Sequence, residues 1–438
     1  MSRRRTDSFL EQFRKLSAMH ITYLKYIGLW ALDSNSSFLL KYLYFVYNKF
    51  ILIIMIIFMV TLLADIFSNF NDLSIVTDDG CIFAGIVVVF FKVIIFQIRR
   101  EQIVRLLHET IDGCNQLCKF PVGGEDKILN KYLLLCRVSF YGFSTLGLFL
   151  VIALLFLVPV ENGELPVRAR YPFDTTKYPW HAIGFFVEAC TISVGVTAII
   201  GMDSLHTNFC NLFLVQLGIL SEHFKSCSSN SSRRDAPSNG NDLTNIICGN
   251  ACYKMFSSTV EERNREKDNY KPNEIHRGSF VKQFRRSVRN HQCLLVIIDK
   301  FNKVFNAAMF VQMLSSTSMI CLTGFQIALV KGQSSNTYKF LIYLAAAVSQ
   351  LFYICWVGNE VMYQSGLLTQ SQWLSGWTDE LSAKTGRIIN LAMIFAKRTL
   401  NLKAGFCYVL SMETFITILR GSYSFFALLS TMQSEGDQ

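Results

Sequence analysis

The sequence predicts an all-α integral membrane protein with seven transmembrane helices, and its composition is the first reason. Hydrophobic residues make up 51% of the 438 residues and charged residues only 17%, whereas a soluble globular protein carries about 25% charged residues. A soluble chain of this length would form about three domains, and this one lacks the charge to cover them. The 13 cysteines are scattered, which disfavours a disulfide scaffold. Disordered chains and basic nucleic-acid binders are disfavoured by the same composition.

Seven apolar stretches are each long enough to cross a hydrocarbon layer about 30 Å thick, for which roughly 20 helical residues suffice. All seven prolines fall between these stretches, so each span is expected to be a continuous helix. The predicted spans are Phe50–Phe67, Cys81–Ile98, Tyr132–Val158, Trp180–Leu217, Val304–Val330, Tyr338–Gly358 and Phe406–Met432.

Lysine and arginine predict the orientation of these spans, because positively charged connections remain in the cytoplasm. Four alternate segments hold 32 of these residues and the other four hold 5. We therefore expect a cytoplasmic amino terminus and an extracellular carboxyl terminus, the reverse of a G-protein-coupled receptor. The chain also lacks that class's Asp/Glu-Arg-Tyr and Asn-Pro-x-x-Tyr motifs. The positive segments are 1–45, 99–137, 220–290 and 359–405, and the others are 66–80, 159–179, 331–339 and 433–438.

The connections divide the chain into seven segments. An amphipathic helix is expected near the start, because apolar residues recur at helical spacing from Ser8 to Leu32. Residues 226–245 are rich in serine and asparagine, which is typical of a disordered loop. The segments are the cytoplasmic amino-terminal amphipathic segment 1–45, the first four spans 46–219, the partly disordered cytoplasmic loop 220–290, the fifth and sixth spans 291–358, the cytoplasmic anchor segment 359–405, the last span 406–432 and the extracellular tail 433–438.

Two of the predicted cytosolic segments carry an apolar stripe at steps of three and four residues. The first begins at Gln283 and runs into the fifth span as one long helix, and the second is Leu381–Leu400. An apolar stripe outside the membrane must be buried. It packs either within the subunit or against another subunit, and spacing alone does not choose between them.

The charged residues considered within the spans are Lys92, Glu188, Asp203, Glu413 and Arg420. A charge at the bilayer centre costs ~2.5–3.5 kcal/mol or more, so each needs a partner or water. Lys92 could extend to the interface or pair with Glu188 or Asp203. Glu413 and Arg420 lie on one face of the last span. Two roles are compatible with this position: a structural ion pair with a neighbouring helix, or a ring of charges that selects ions in a pore.

Several motifs in the carboxyl-terminal third resemble the insect odorant receptor family. The sixth span and its exit carry the family pattern of aromatic residue, cysteine, glycine, serine, leucine and tryptophan, and the last helix carries two further matching runs. The tetrapeptide Ile27–Trp30 also resembles the family's amino-terminal pattern. The matching residues are Tyr353, Cys355, Gly358, Ser365, Leu368, Trp373 and Trp377, followed by Ala404, Gly405, Ser411–Phe415 and Ser422–Phe426.

The resemblance implies an odorant-gated, non-selective cation channel rather than an enzyme. It implies a tetramer in which the last helix of each subunit lines a central pore and a cytosolic helical anchor joins the subunits. The chain departs from the family's shared co-receptor, whose last helix ends in Thr-Tyr-Phe-Met-Val-Leu-Val-Gln, so it is similar to the odorant-binding subunits. The implied partners are co-receptor subunits in a heterotetramer, a small volatile ligand, membrane lipid and permeating cations, with no nucleic acid and no cofactor or metal. The implied location is the plasma membrane of olfactory neuron dendrites.

The sequence lacks the marks of two other classes of membrane protein. A secondary transporter would show inverted repeats and broken helices, and a membrane enzyme would show a cluster of catalytic residues. The sequence shows no internal repeat, and its seven histidines form no paired motif. Two cysteine pairs, Cys114 with Cys118 and Cys248 with Cys252, have the i, i+4 spacing of two metal ligands on a helix, but no histidine or further cysteine pair lies at zinc-finger spacing.

The resemblance places the odorant site among the second, third, fourth and sixth spans, in the outer half of the membrane. A small volatile ligand needs an apolar, aromatic-lined cavity with few polar groups. The same side chains could instead pack the bundle or face lipid. The candidates are Phe83, Val87, Phe91, Phe149, Ala153, Phe156, Phe185, Phe186, Ile192, Tyr343 and Ala347.

On the last span, the resemblance places Leu428 at the ring of apolar side chains that narrows the pore. Met432 lies one turn further outward, and the small residues Gly421 and Ser424 on the other side of Leu428 would line a wider vestibule. An apolar constriction excludes hydrated cations by dewetting. The alternative is that Leu428 packs against a neighbouring helix and never meets water.

Overall fold

The structure, a computed structural model, describes residues 2–30, 37–120, 122–157, 165–175, 177–227, 275–329, 334–380 and 382–436. Ten α-helices and two short strands lie within these residues. The helices are α1 (Ser2–Tyr26), α2 (Phe38–Ser68), α3 (Leu73–Ile98), α4 (Arg100–Cys118), α5 (Glu125–Ile152), α6 (Trp180–Lys225), α7 (Ile275–Leu329), α8 (Ser334–Trp373), α9 (Ala383–Ala396) and α10 (Met412–Gly436), and the strands are β1 (Lys403–Ala404) and β2 (Tyr408–Val409).

The predicted all-α membrane fold is confirmed. Five helices of the described part are long and apolar enough to cross a membrane, namely α2, α3, α5, α6 and α8. They contain five of the seven predicted spans, and the helices extend well beyond several of them. The fifth predicted span lies in α7 and the seventh mainly in α10, and neither helix is among these five.

The last helix begins later than the sequence predicts. We expected it from Phe406, but β1 and β2 pair as an antiparallel hairpin, and α10 begins at Met412. The hairpin turn uses Gly405 at φ +70°, a conformation that glycine adopts without steric cost. The Ser411 hydroxyl then accepts a hydrogen bond from the backbone N–H of Thr414 at 3.2 Å, which caps the new helix.

Helix α4 lies in a connection for which no helix was predicted. Its apolar residues recur at helical steps, and Ile103, Leu107, Ile111 and Cys114 are buried against α6 and α7. Residues 99–137 contain seven lysines and arginines, and from this charge we predicted only that the segment is cytoplasmic. The apolar periodicity of Ile103–Cys118 was the signal that would have revealed the helix.

The long helix predicted from Gln283 is confirmed as part of α7, which begins at Ile275. Its apolar stripe is buried within the subunit. Phe301 and Phe305 pack against Phe209 and Phe213 of α6, with ring centroids 5.2 to 5.6 Å apart. The open question about this stripe is therefore settled, because it packs within its own subunit.

The stripe of α9 has a different environment. Ile389 and Ala392 are buried, whereas Leu391, Ile394 and Phe395 are each more than half exposed. Helix α9 therefore rests one face on α8 and leaves an apolar face uncovered in the single subunit. The serine- and asparagine-rich loop predicted at 226–245 lies outside the described residues from 228 onward.

Membrane orientation remains a prediction, and epitope tags at the two ends test it. The 32-to-5 distribution of lysine and arginine predicts that an amino-terminal tag is stained only after permeabilisation. A carboxyl-terminal tag should be stained on intact cells. Surface staining of the amino-terminal tag would contradict the predicted orientation.

Candidate functional site

Residues 165–175 fold back onto α2, α3 and α6 and carry an apolar side chain into the bundle. Val167 is buried against Phe58 and Leu62 of α2. The backbone N–H of Arg170 donates to the carbonyl of Thr61 at 3.3 Å. Phe83 and Ile192, two predicted pocket residues, surround this cluster and are partly buried. The structure thus brings the second and fourth predicted spans together at this point.

The other predicted pocket residues are spread over several environments. Val87, Phe185 and Tyr343 are partly buried, whereas Ala153 and Ala347 are buried. Ala347 belongs to the main hydrophobic core, where side chains pack against one another. The aromatic ring of Tyr343 lies 6.5 Å from that of Phe340.

Four predicted pocket aromatics lie on the surface of the subunit. Their exposed fractions run from 46% to 71%, so they do not wall an enclosed cavity within one subunit. Along α5 the helix widens into a π-helical turn at Ala153–Leu157. Ala153, at the start of this turn, is buried, whereas its predicted neighbours Phe149 and Phe156 are exposed. The four residues are Phe91, Phe149, Phe156 and Phe186.

Several charged side chains meet where residues 165–175 cover the bundle. Arg168 Nε lies 3.0 Å from Asp65 Oδ2, and Lys339 Nζ lies 3.1 Å from Asp78 Oδ1. Glu188 Oε2 accepts the backbone N–H of Val167 at 3.1 Å. Asp65 was not among the charged candidates predicted from the sequence. It lies inside the first predicted span, so the search for charged residues within spans could have identified it.

The middle of the bundle contains a second charged contact. Lys92 is fully buried, and its Nζ lies 2.5 Å from Asp203 Oδ1. The amide of Gln350 donates to Asp203 Oδ2 at 2.6 Å. The sequence left three alternatives for Lys92, namely extension to the interface, pairing with Glu188 and pairing with Asp203. In the structure Lys92 pairs with Asp203. The contact ties α3, α6 and α8 together.

Helix α10 has one buried face and one exposed face. Ile418 and Ser422 are buried, and the Ser422 hydroxyl donates to the carbonyl of Thr317 on α7 at 3.3 Å. The opposite face is exposed along the described length of the helix. Its members recur at steps of three and four residues and form what we call the exposed stripe: Glu413, Thr417, Arg420, Ser424, Leu428 and Thr431.

The exposed stripe contains two of the four predicted pore residues. Leu428 is 57% exposed, so in the single subunit it does not pack against a neighbouring helix. Gly421 is partly buried at the edge of the stripe, and the side chain of Met432 lies outside the described part. Within the described residues, neither Glu413 nor Arg420 forms an ion pair.

Helix α8 and the chain before α10 approach each other closely. Gly358 of α8 lies against the backbone of Leu410, and a Cβ atom at Gly358 would collide with the Leu410 carbonyl. Asn359 accepts the backbone N–H of Met412 at 3.4 Å. Asn302 of α7 accepts the backbone N–H of Lys403 at 2.9 Å. The start of α10 is therefore held from both α7 and α8.

Burial raises the pKa of Tyr171 above its ordinary value, and the nearby Glu188 carboxylate raises it further. The Tyr171 hydroxyl therefore remains protonated and can act as a donor. It faces Glu188 without reaching hydrogen-bond geometry.

Comparison with known proteins finds one matching family model and several similar insect proteins. A family model described as 7tm Odorant receptor matches residues 73–423. Odorant receptor 13a of Drosophila melanogaster is 27% identical over 169 residues, which are 36% of this chain and 40% of that protein. Odorant receptor 83a of the same species is 22% identical over 287 residues, or 63% and 62% of the two chains. Odorant receptor Or1 of Anopheles gambiae is 26% identical over 160 residues, or 36% and 38%. Each match spans less than two thirds of the relative.

Solved structures match over nearly the whole chain. The insect olfactory receptor OR5 from Machilis hrabei superposes with a TM-score of 0.73, covering 96% of this chain and 98% of the other at 14% identity. The same receptor in complex with eugenol gives a TM-score of 0.71 at 15% identity, covering 97% and 99%. At this identity the likeness shows a shared fold.

Proposed function

The chain belongs to the odorant receptor family of insects, and from that premise we propose that it is an odorant-binding subunit of a ligand-gated, non-selective cation channel. The family is one of receptors rather than of enzymes. The proposal rests on one observation above all, the exposed stripe of α10.

The composition of the exposed stripe favours water over lipid. Glu413 and Arg420 are charged and exposed, and a charge in contact with lipid tails is costly. The opposite face of α10 is already occupied by α7 and α8. The stripe therefore requires an aqueous surface that the single subunit does not enclose, and a pore formed by several copies of α10 supplies one. Glu413 and Arg420 then face the pore, as the selectivity-ring alternative requires.

Leu428 is the apolar member of this stripe and is proposed as the gate. Ser424, one turn away on the stripe, and Gly421 beside it are small, so the pore would be wider there. Met432 is proposed as a second apolar ring one turn beyond Leu428. A ring of apolar side chains stays dry until it widens.

Assembly is proposed to bury the surfaces that one subunit leaves bare. The apolar face of α9 is exposed at Leu391, Ile394 and Phe395, and Phe406 in the hairpin is 93% exposed. On α10, Tyr423 and Phe425 are exposed on either side of the stripe. We propose that these surfaces contact co-receptor subunits in a heterotetramer, located in the plasma membrane of olfactory neuron dendrites.

The odorant pocket is proposed at the cluster around Val167. Phe83 and Ile192 line it in part, and Tyr343 of α8 lies near Glu188 on the same side of the bundle. Eugenol is bound by the structural relative from Machilis hrabei. By analogy, a small volatile compound is proposed as the ligand of this chain.

Replacing Leu428 with serine tests the channel and its gate together. A polar ring stays wet, so the ligand-free current of cells that express this variant with co-receptor subunits should rise several-fold over wild type. Ile416→Ser is the control, because Ile416 is an exposed apolar residue of the same helix, 46% exposed against 57% for Leu428, and belongs neither to the stripe nor to the proposed subunit contacts. If Leu428→Ser reaches the membrane with wild-type resting current and ion selectivity, Leu428 is not the gate.

A further inference from the structure

Arg420 lies on the face of α10 opposite the one that packs in the bundle. Ile418 and Ser422 belong to the buried face, and Arg420 is two residues from each of them. Because successive residues of an α-helix are turned by about 100°, Arg420 stands about 160° from both buried side chains. Glu413, seven residues earlier, lies within about 20° of the same direction. Both charged side chains therefore face almost directly away from the bundle.

These two residues carry the charge of α10. Among its side chains that the structure describes, from Met412 to Thr431, only Glu413 and Arg420 are charged. They lie about 10 Å apart along the helix axis, and neither takes part in an ion pair among the described residues. Arginine keeps its charge in proteins. A permanent positive charge therefore stands on the exposed stripe, two turns from a carboxylate.

Two hydroxyl groups of the same stripe present oxygen acceptors. Thr417 donates its hydroxyl proton to the backbone carbonyl of Glu413 at 2.9 Å, and Ser424 donates to the carbonyl of Arg420 at 3.1 Å. A hydroxyl has one proton and two lone pairs, so each oxygen offers only acceptor capacity to its other neighbours. Oxygen acceptors can replace the water around a permeating cation. Among the described polar members of the stripe, Arg420 is the one that repels cations.

We propose that Arg420 makes the channel discriminate against divalent cations and that Glu413 opposes this effect. The inference rests on the proposed channel function and adds the residues that select among the permeating ions. Electrostatic energy is proportional to the charge of the ion, so Arg420 repels Ca²⁺ twice as strongly as Cs⁺. For an ion passing about 5 Å from the guanidinium in salt water, the difference corresponds to about two- to fourfold in the Ca²⁺/Cs⁺ permeability ratio.

Reversal potentials of ligand-free currents measure this ratio in cells that express the chain with co-receptor subunits, and cells with co-receptor subunits alone supply the baseline. Arg420→Gln should raise the Ca²⁺/Cs⁺ ratio about two- to fourfold. Arg420→Lys keeps the charge and should leave the ratio unchanged, whereas Glu413→Gln should lower it by a similar factor. Arg105→Gln removes an exposed positive charge on α4 and is the matched control, with no expected effect.

A charge restored after assembly gives a second test that does not depend on how a variant folds. Channels with Arg420→Cys are recorded before and after treatment with methanethiosulfonate reagents, which form a mixed disulfide with the thiol. A reagent that attaches a trimethylammonium group should return the Ca²⁺/Cs⁺ ratio to the wild-type value. One that attaches a sulfonate should raise the ratio further. The wild-type complex treated with the same reagents is the control, because Cys407 is exposed.

The outcomes separate this inference from the proposed function. Equal ratios in Arg420→Gln and Arg105→Gln would overturn it and leave the channel standing. Currents of Arg420→Cys that neither reagent changes would do the same, because the side chain would then lie outside the ion path. Loss of Arg420→Gln and Arg420→Cys from the cell surface, with Arg420→Lys retained, would also overturn it, because the charge would then serve assembly. Absence of any current from the wild-type complex would contradict the proposed function itself.

Discussion

Replacing Lys92 with methionine should remove most of the folded protein from the cell surface. The substitution leaves Asp203 inside the bundle without the ammonium group 2.5 Å away. Breaking a buried ion pair by removing one partner costs about 3–5 kcal/mol, a large part of the 5–15 kcal/mol that stabilises a typical protein. Gln350 still donates to Asp203, but one amide does not replace a full charge. Surface labelling and the melting temperature of the purified chain measure the loss.

Two further variants distinguish the effect of losing the buried ion pair from the effect of changing side-chain packing. Lys300→Met removes a cation from a partly exposed pair with Glu109, at 2.7 Å, and should cost about 1 kcal/mol or less. The double variant Lys92→Met with Asp203→Leu should recover much of the lost stability, because no unpaired charge remains. If Lys92→Met melts at the same temperature as Lys300→Met, the buried pair does not stabilise the bundle.

Replacing Gly358 with alanine should disrupt the junction between α8 and α10. The added Cβ would collide with the carbonyl and Cβ of Leu410, and backbone atoms yield less readily than the end of a flexible side chain. Overpacking of this kind costs about 1–3 kcal/mol and occasionally more. Because Leu410 lies two residues before α10, we expect both a lower melting temperature and a loss of ligand-evoked current.

Gly142→Ala is the control for this prediction. Gly142 lies within α5, and apart from its chain neighbours and the backbone of its own helix no atom lies within 4 Å of the position its Cβ would take. Alanine there should leave stability unchanged or raise it by about 0.5–1 kcal/mol, because alanine favours the helix. Equal melting temperatures and currents for the two variants would show that α8 and the α10 junction accommodate a methyl group.

The class of the protein and the approximate position of its helices could be predicted from the amino-acid sequence. Composition and apolar runs depend on residues that are neighbours along the chain, so each predicted span coincides with a helix of the structure over most of its length. The family motifs around Gly358 and Ser411 are local for the same reason. The long α7 helix was predictable because its apolar stripe persists from Gln283 into the membrane segment.

The contacts between side chains that are distant in the sequence could not be predicted in the same way. Lys92 is 111 residues from Asp203, and nothing in the sequence distinguishes Asp203 from Glu188 as its partner. The exposure of Phe91, Phe149, Phe156 and Phe186 depends on how each helix rotates against its neighbours. In a membrane bundle, apolar residues suit both lipid and core, so apolar periodicity alone does not show which face turns inward. That ambiguity is why the helices could be predicted from the sequence, whereas the side chains that are buried could be identified only from the packing of the helices.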